Sequence, residues 1–411
     1  MQRDDGDLGA DGDGSASQNL DQKLVGPLLT GAAPTIMPGV SQPLLSDRSL
    51  ERQAGAGMRS AFAGLRIAQV PPLIESVPPK GYGGTERVVS VLTEELVRLG
   101  CDVTLYATGD STTSARLRPV VKRSLRLDPA CEDTLPYHLL QVERVIQDAD
   151  RYDLIHFHGS MLHYSAARRF LPRTVTTLHG RLDLPDSIAL FREFVEAPAI
   201  SISLAQRRPL PWLNWVGNVY HGYPEHDFEL STQHDGYLVF LGRICREKRP
   251  DRAVRIAADA GYPLKIAAKV DPVDREYFET EIRPLLEEPH VEYLGEIGDR
   301  DKQRLLGGAL GTLLPIDWPE PFGLTLIEAM ACGTPTIAYA HGSVPEIVED
   351  GVTGFIVHNH AEAVAAVEKL PTLDRSLIRR RFLQRFSAAR MVKGYLAIYG
   401  DLVGTSIRAA S

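Results

Sequence analysis

Residues 311–332 read GTLLPIDWPEPFGLTLIEAMAC, two apolar runs joined by a proline-containing turn. The first, GTLLPI, is short, apolar and closed by turn residues, which predicts a strand buried on both faces. The second predicts a helix that begins near Gly323 and stops before Gly333. Strand, turn and helix in that order make one unit of a doubly wound parallel sheet, in which ligands bind beyond the carboxyl ends of the strands. Two acids stand at that position in an otherwise apolar segment: Glu320 just ahead of the helix and Glu328 roughly one turn inside it. Between them the N–H groups of Phe322, Gly323 and Leu324 have no intrahelical acceptor, and Gly323 admits a ligand close to the backbone. Such donors suit an anion, above all a phosphate. Carboxylates accept hydrogen bonds from hydroxyl groups instead. The segment therefore predicts a ligand with a diphosphate in its middle and a polyol at each end, which is the layout of a nucleotide sugar. The competing reading is that both acids only solvate a helix start, where negative charge is favoured in any case.

The same alternation fills the rest of the chain. LRIAQV, DVTLYAT, DLIHFH, TVTTLH and AISIS read as strands of one sheet, with the helix ERVVSVLTEELVRLG after the first of them; GYLVFLG, PLKIAAK, VEYLG, GTLLPI, TPTIAY and GFIV read as strands of a second. The expected fold class is α/β, with two Rossmann-like doubly wound parallel-sheet domains facing a cleft, residues 58–225 and 226–386. Their join falls in the polar stretch YPEHDFELSTQHD. A last helix, 387–403, places Met391, Tyr395, Ile398 and Tyr399 on one face and must pack, either on the second domain or by crossing back to brace the first. Residues 1–57, rich in Gly, Ala, Asp, Ser and Pro and without periodicity, are expected to form a disordered tail, with Met58 as an alternative start.

Bulk properties agree with this division. A chain of 411 residues exceeds what one hydrophobic core serves. A net charge of -8 argues against a dedicated nucleic-acid binder. The four cysteines, Cys101, Cys131, Cys245 and Cys332, lack the spacing of zinc sites or disulfide frameworks and fit a reducing cytosol. No run of eighteen apolar residues occurs, and the first residues lack the layout of a signal peptide, so a soluble cytoplasmic protein is expected. Residues 116–126, RLRPVVKRSLR, carry five basic side chains that suit an anionic lipid surface, peripheral at the inner membrane face, or a phosphorylated acceptor; more often such a run is a solvated loop.

Three further strand ends carry chemistry. LGRICREKRPDRAV places Gly242, Arg243 and Lys248 after a strand, with Arg246 and Arg249 thickening the charge, a set suited to neutralising a diphosphate. PPKGYGGTERVV supplies Gly81, Gly83 and Gly84 as a flexible loop entering a helix through Thr85 and Glu86; it is not the spaced dinucleotide fingerprint. His156, His158 and His179 end two neighbouring strands, where a satisfied structural histidine is the commoner outcome, and His179, directly before Gly180, is the candidate kept. No H-E-x-x-H or comparable ligand set is present, so no catalytic zinc is expected. Asp148 to Asp150 read as a helix end.

Together these motifs make the chain from Leu65 to about Val403 resemble glycosyltransferase family 4, retaining, metal-independent enzymes of the double-Rossmann GT-B fold. EPFGLTLIEAMACGTPTIA is similar to the family's Glu-x7-Glu signature, GSVPEIVEDGVTGFIV to the segment that follows it, LGRICREK to its phosphate-binding pattern and GYGGTERVV to its first Gly-rich loop. The resemblance implies transfer of a hexosyl unit from a nucleoside diphosphate sugar to a hydroxyl acceptor (lipid, glycan or small molecule), with no cofactor and no metal. It implies that Glu320 contacts the transferred sugar, Glu328 the ribose, and Arg243 and Lys248, beside Gly242, the diphosphate. Phe322, Gly323 and Leu324 would add backbone contacts, Gly83, Gly84 and Thr85 would lie by the phosphate and acceptor, and His179 would face the sugar. The first domain becomes the acceptor side, and the last helix crosses back to it. One departure is His221-Gly222, where many members have Asn-Gly. A nucleotide-sugar epimerase of the same fold and a non-catalytic nucleotide-sugar-binding protein are the alternatives, and neither oligomeric state nor donor base is legible.

Overall fold

The computed structural model describes residues 61–159, 161–171 and 173–404, so the expected tail and Met58 lie outside the described residues. Short β-branched and apolar runs form two all-parallel sheets. The first has seven strands in the order β3-β2-β1-β4-β5-β6-β7: β1 Arg66–Val70, β2 Asp102–Leu105, β3 Arg116–Leu117, β4 Leu154–His158, β5 Thr174–Thr177, β6 Ala199–Ser201 and β7 Trp215–Asn218. The second has six in the order β10-β9-β8-β11-β12-β13: β8 Tyr237–Arg243, β9 Leu264–Lys269, β10 Val291–Gly295, β11 Ala309–Leu314, β12 Thr336–Tyr339 and β13 Gly354–Val357. In each sheet the strand order reverses beside the first strand, between β1 and β4 and between β8 and β11. That reversal opens a crevice at the strand ends.

Helix α1 (Gly84–Arg98) follows β1 and buries Val88, Val89, Leu92 and Leu96 against the first sheet. After β3 comes α2 (Leu135–Gln147), and after β8 comes α3 (Pro250–Ala260). Helix α4 (Asp299–Gly308) follows β10, and α5 (Leu324–Ala331) follows β11. Two strands escape the sequence reading. Strand β3 is two residues long and lies inside the basic run 116–126, and β7, WVGN, is a half-buried edge with no apolar period. Both form because an existing edge offers hydrogen-bonding partners.

The basic run is largely answered within the protein. Arg116 faces Asp102 at 3.7 Å, Arg118 faces Asp148 at 3.1 Å, and Arg126 pairs with Glu75. Asp148 ends α2 as expected, and it also accepts a hydrogen bond from the Tyr106 hydroxyl at 2.8 Å. Among the described residues, no helix is long and apolar enough to cross a membrane.

The last helix, α6 (Ala388–Leu402), packs on α1 and β7, that is, on the first domain, and buries Met391, Tyr395, Ile398 and Tyr399. The chain reaches it across the interdomain join. There the N–H of Tyr223 donates to Phe386 O at 3.0 Å, and the N–H of Ala388 donates to Tyr223 O at 2.8 Å. Gly222 is required at this crossing, because a Cβ would stand 2.5 Å from Ser387 O.

Candidate active site

The carboxyl ends of β1 and β5 face those of β8, β9 and β11 across a cavity of about 560 Å³. Most of the residues expected at the site line it: Gly83, Gly84, Thr85 and His179 on the first-domain side, and Gly242, Arg243, Lys248, Glu320, Phe322, Gly323, Leu324 and Glu328 on the other. Two helices start at its wall, and each is capped by a glycine at positive φ, Gly83 (153°) for α1 and Gly323 (82°) for α5. Neither start carries a side-chain cap, so their first N–H groups stay available to a ligand. The two starts almost touch, since a Cβ on Gly84 would stand 3.1 Å from Leu324 Cδ1.

The acids on either side of the start of α5 are both buried, and each has a lysine. Glu320 is 7% exposed, pairs with Lys248 and accepts from Trp318 Nε1 at 3.1 Å. Glu328 is 4% exposed and uses one oxygen, Oε1, for both Lys302 Nζ at 2.6 Å and the Tyr223 hydroxyl at 2.8 Å. A buried carboxylate needs such partners, because its desolvation is repaid only by a close cation and hydrogen bonds. Arg243 stands among Glu247, Asp271 and Asp274, each at 3.5 Å, which orients the guanidinium without a short bond. The expectation that Arg246 and Arg249 add to this charge is corrected: Arg246 turns outward to Glu281 at 2.5 Å, and Arg249 holds Asp251 and Asp317 at 2.8 and 3.0 Å. The chain turns at Arg249, at φ 53°, and its side chain takes no part in lining the cavity.

Several lining residues were not singled out from the sequence. Lys302 on α4 and Arg87 on α1 meet at Asp299, 3.4 and 2.7 Å away. Tyr82 lays its ring over Lys269 Nζ at 3.9 Å, while its N–H donates to Glu296 at 2.9 Å. Strand-end position would have flagged Lys302, which follows β10 as Lys248 follows β8. Gly342 was missed as well; it does not line the cavity but packs against the backbone of Glu320, which does. Its φ is 59°, and a Cβ there would fall within 2.6 Å of the Pro319 carbonyl carbon and closer still to the backbone of Glu320. Gly342→Ala is therefore expected to cost about 2–5 kcal/mol of stability through backbone strain and overlap and to shift Glu320. A urea-unfolding midpoint equal to wild type would disprove that close approach.

His179 ends a hydrogen-bonded chain that begins on α6. Gln69 Nε2 donates to the Tyr399 hydroxyl at 3.2 Å, which leaves Gln69 Oε1 to accept from His158 Nε2 at 2.6 Å. His158 Nδ1 is then the acceptor for His179 Nε2–H at 3.0 Å. Tyr399 in turn meets His156 Nδ1 at 2.6 Å, and His156 Nε2 meets Thr177 Oγ1 at 2.7 Å. The network assigns the proton of His179 to Nε2, and Nδ1 finds no partner among the described residues. Burial lowers the His179 imidazole to about 3, so the ring is neutral near pH 7. His221, at the position departing from Asn-Gly, stacks on His179 with centroids 5.1 Å apart and meets Phe322 edge-on at 4.7 Å. Tyr399→Phe strands buried partners on Gln69 and His156, and an expected loss of about 1–3 kcal/mol is read from urea unfolding. An unchanged midpoint would mean the hydroxyl orders nothing.

Comparison with known proteins places this site in a family. The description "Glycosyltransferase Family 4" matches residues 82–222 and "Glycosyl transferases group 1" matches residues 224–382, so between them they take in both domains. The chain belongs to glycosyltransferase family 4, and its two facing parallel sheets are the GT-B fold. Among curated relatives, the D-inositol 3-phosphate glycosyltransferase of Salinispora tropica is 33% identical over 195 residues, 42% of this chain and 40% of the relative. The chain spans about two-fifths of the length of the first curated relatives it matches. Among solved structures, sucrose-phosphate synthase from Thermosynechococcus elongatus superposes with a TM-score of 0.68 at 20% identity, over 83% of this chain and 100% of that one. HepE of Anabaena, in complex with UDP and glucose, gives 0.61 at 18% identity, over 82% and 100%.

Proposed function

We propose that the protein transfers a hexosyl unit from a nucleoside diphosphate sugar to a hydroxyl acceptor, with retention at the anomeric carbon and without a metal. The observation that carries this reading is the start of α5, a glycine-capped set of N–H donors set between two buried carboxylates in one cleft. The donors and Arg243 would hold the diphosphate, Glu320 the sugar and Glu328, through its second oxygen, the ribose. As the anomeric bond breaks, negative charge grows on the leaving diphosphate, where Lys248, Arg243 and the helix start act as preorganised stabilisers. The acceptor hydroxyl attacks from the same face, and its proton passes to a phosphate oxygen of the leaving group. Glu320, the carboxylate proposed to meet the sugar, already serves Lys248, so it is not set to attack the ring from below. Closure of the two domains would keep water from the donor.

A thermal-shift panel of UDP, GDP, ADP and their sugars tests the donor class. One base is expected to raise the melting temperature by several degrees, and the UDP complex of HepE makes uridine the first to try. No response to any nucleotide would overturn the reading. Product analysis then separates transfer from the alternatives, since an epimerised sugar means an epimerase and tight binding with no turnover means a binding protein.

A further inference from the structure

We propose that Ser203, Gln206 and Glu346, none of which lines the cleft, are positioning residues that hold Glu320 and His179 in register across the two domains. The inference rests on the transfer reading above and adds residues that serve it through others. The loop that carries Glu320 presents three successive carbonyls, and a serine from each domain takes them. Ser343, after β12, donates its N–H to Glu320 O at 2.9 Å and its hydroxyl to Phe322 O at 2.8 Å. Ser203, after β6 in the first domain, donates its hydroxyl to Pro321 O at 2.6 Å. Both serines are buried, so these bonds are made away from water and a lost hydroxyl is not replaced by solvent.

The turn that supplies Ser203 also grips the strand end that carries His179. Gln206 Nε2 donates to Leu178 O at 2.7 Å and to Gly180 O at 2.8 Å, the carbonyls on either side of His179. The turn is closed on itself. The N–H of Gln206 donates to Ser203 Oγ at 3.1 Å, and the N–H of Ile202 donates to Gln206 Oε1 at 3.0 Å. One short turn thus joins the peptide of Glu320 to the peptides around His179.

Glu346, on the one-turn helix Val344–Ile347, fastens that turn to the second domain. Its Oε1 accepts from the N–H of Ala205 at 2.6 Å, and its Oε2 accepts from the N–H of Leu204 at 2.8 Å and from the Tyr220 hydroxyl at 2.9 Å. A carboxylate only accepts, and its bonds to N–H groups are about twice as strong as neutral ones, so one side chain takes three donors of the first domain. Ser343 lies in the same turn as Glu346, so the grip on Glu320 and the grip on the first domain share one support. That support stands beside the interdomain join. Tyr220 precedes Gly222 by two residues, and Arg385, next to the second crossing, donates to the carbonyls of Glu346 and Ile347. Two hinged bodies move least relative to each other at their hinge, so the closure proposed above pivots on this frame and leaves His179 and Glu320 in place.

The test follows nucleotide release from UDP-glucose, or from the nucleotide sugar that replaces it in the thermal panel, with active sites counted by nucleotide binding. Ser203→Ala and Glu346→Ala are each expected to lower kcat about 10–100-fold, the cost of misplacing reacting groups by about 1 Å, while the Kd of the free nucleotide, measured by calorimetry, stays within about twofold of wild type. The double variant is expected to lose little more than either single one, because both break the same frame. A purely structural role would lower the count of active sites and leave kcat per site alone. The proposal is overturned if both single variants keep kcat within about twofold of wild type, if Kd rises in step with the loss, or if the two losses multiply. Where Glu346→Ala fails to fold, Glu346→Gln, which keeps one acceptor oxygen, is expected to show a smaller loss of the same kind. A wild-type chain that binds no nucleotide sugar, or binds one and never releases the nucleotide from it, sinks the transfer reading instead. Amide exchange then still decides the frame: Leu204 and Ala205 are expected to exchange at least about tenfold faster in the Glu346 variant, and unchanged exchange overturns it.

Discussion

Lowering the pH from 6.5 to 5.5 is expected to reduce the free energy of unfolding by up to about 4 kcal/mol, a large part of the 5–15 kcal/mol typical of folded domains. The cause is the group of buried histidines at the strand ends. Burial, followed by the neighbouring imidazoles, holds His156, His158 and His221 well below the usual imidazole value, and burial alone takes His179 to about 3. In the unfolded chain each takes a proton near pH 6.5, while in the folded protein each stays neutral. The unfolded state therefore binds more protons below that pH, and stability falls as pH falls, by about 1.4 kcal/mol per pH unit for each histidine. Glu86 works the other way. Its folded value near 7 lies above its unfolded one, so folding takes up a proton between about pH 7 and 4.5 and offsets one histidine. Urea-unfolding midpoints at pH 7, 6 and 5 measure the balance, and a midpoint that stays level across that range would refute the assignment of neutral, buried imidazoles.

Lys248→Met is expected to lower turnover by about 10²–10³-fold, the range seen when one preorganised donor is removed from a developing negative charge. The lysine does two things at once: it is the cation beside Glu320, and it faces the proposed diphosphate position. Without it the Glu320 carboxylate stays buried with only Trp318 to answer it, so the substitution also costs stability. Steady-state kinetics with the donor from the thermal panel measure the loss. Arg246→Met is the matched control, because Arg246 pairs with Glu281 outside the cavity. Equal rates for the two variants would remove Lys248 from the chemistry.

The site was legible in the sequence where charged and polar residues recur at one kind of place. Glu320, Lys248 and His179 each follow a strand and Arg243 ends one, and parallel sheets bring strand ends to one side, so position along the chain was enough to gather them. Lys302, Arg87 and Gly342 were not found. Nothing local marks Gly342 as the residue on which the backbone of Glu320 rests, 22 positions earlier, because that contact exists only once β12 lies beside β11. Likewise the period of α6 marked Tyr395 and Tyr399 as buried, and only the folded chain shows that Tyr399 shares a hydrogen-bonded chain with His179.

By itself the sequence determined the two parallel sheets, the succession of their long strands along the chain and the helix start flanked by acids, because hydrophobic period and glycine and proline positions act within a few residues. The tertiary structure decided which charges serve the cleft. Arg243, Arg246, Lys248 and Arg249 lie within seven residues and look alike as sequence, yet only Arg243 and Lys248 line the cavity. A charged side chain goes to whichever opposite charge the fold brings within a few ångströms, and that proximity is set by long-range packing.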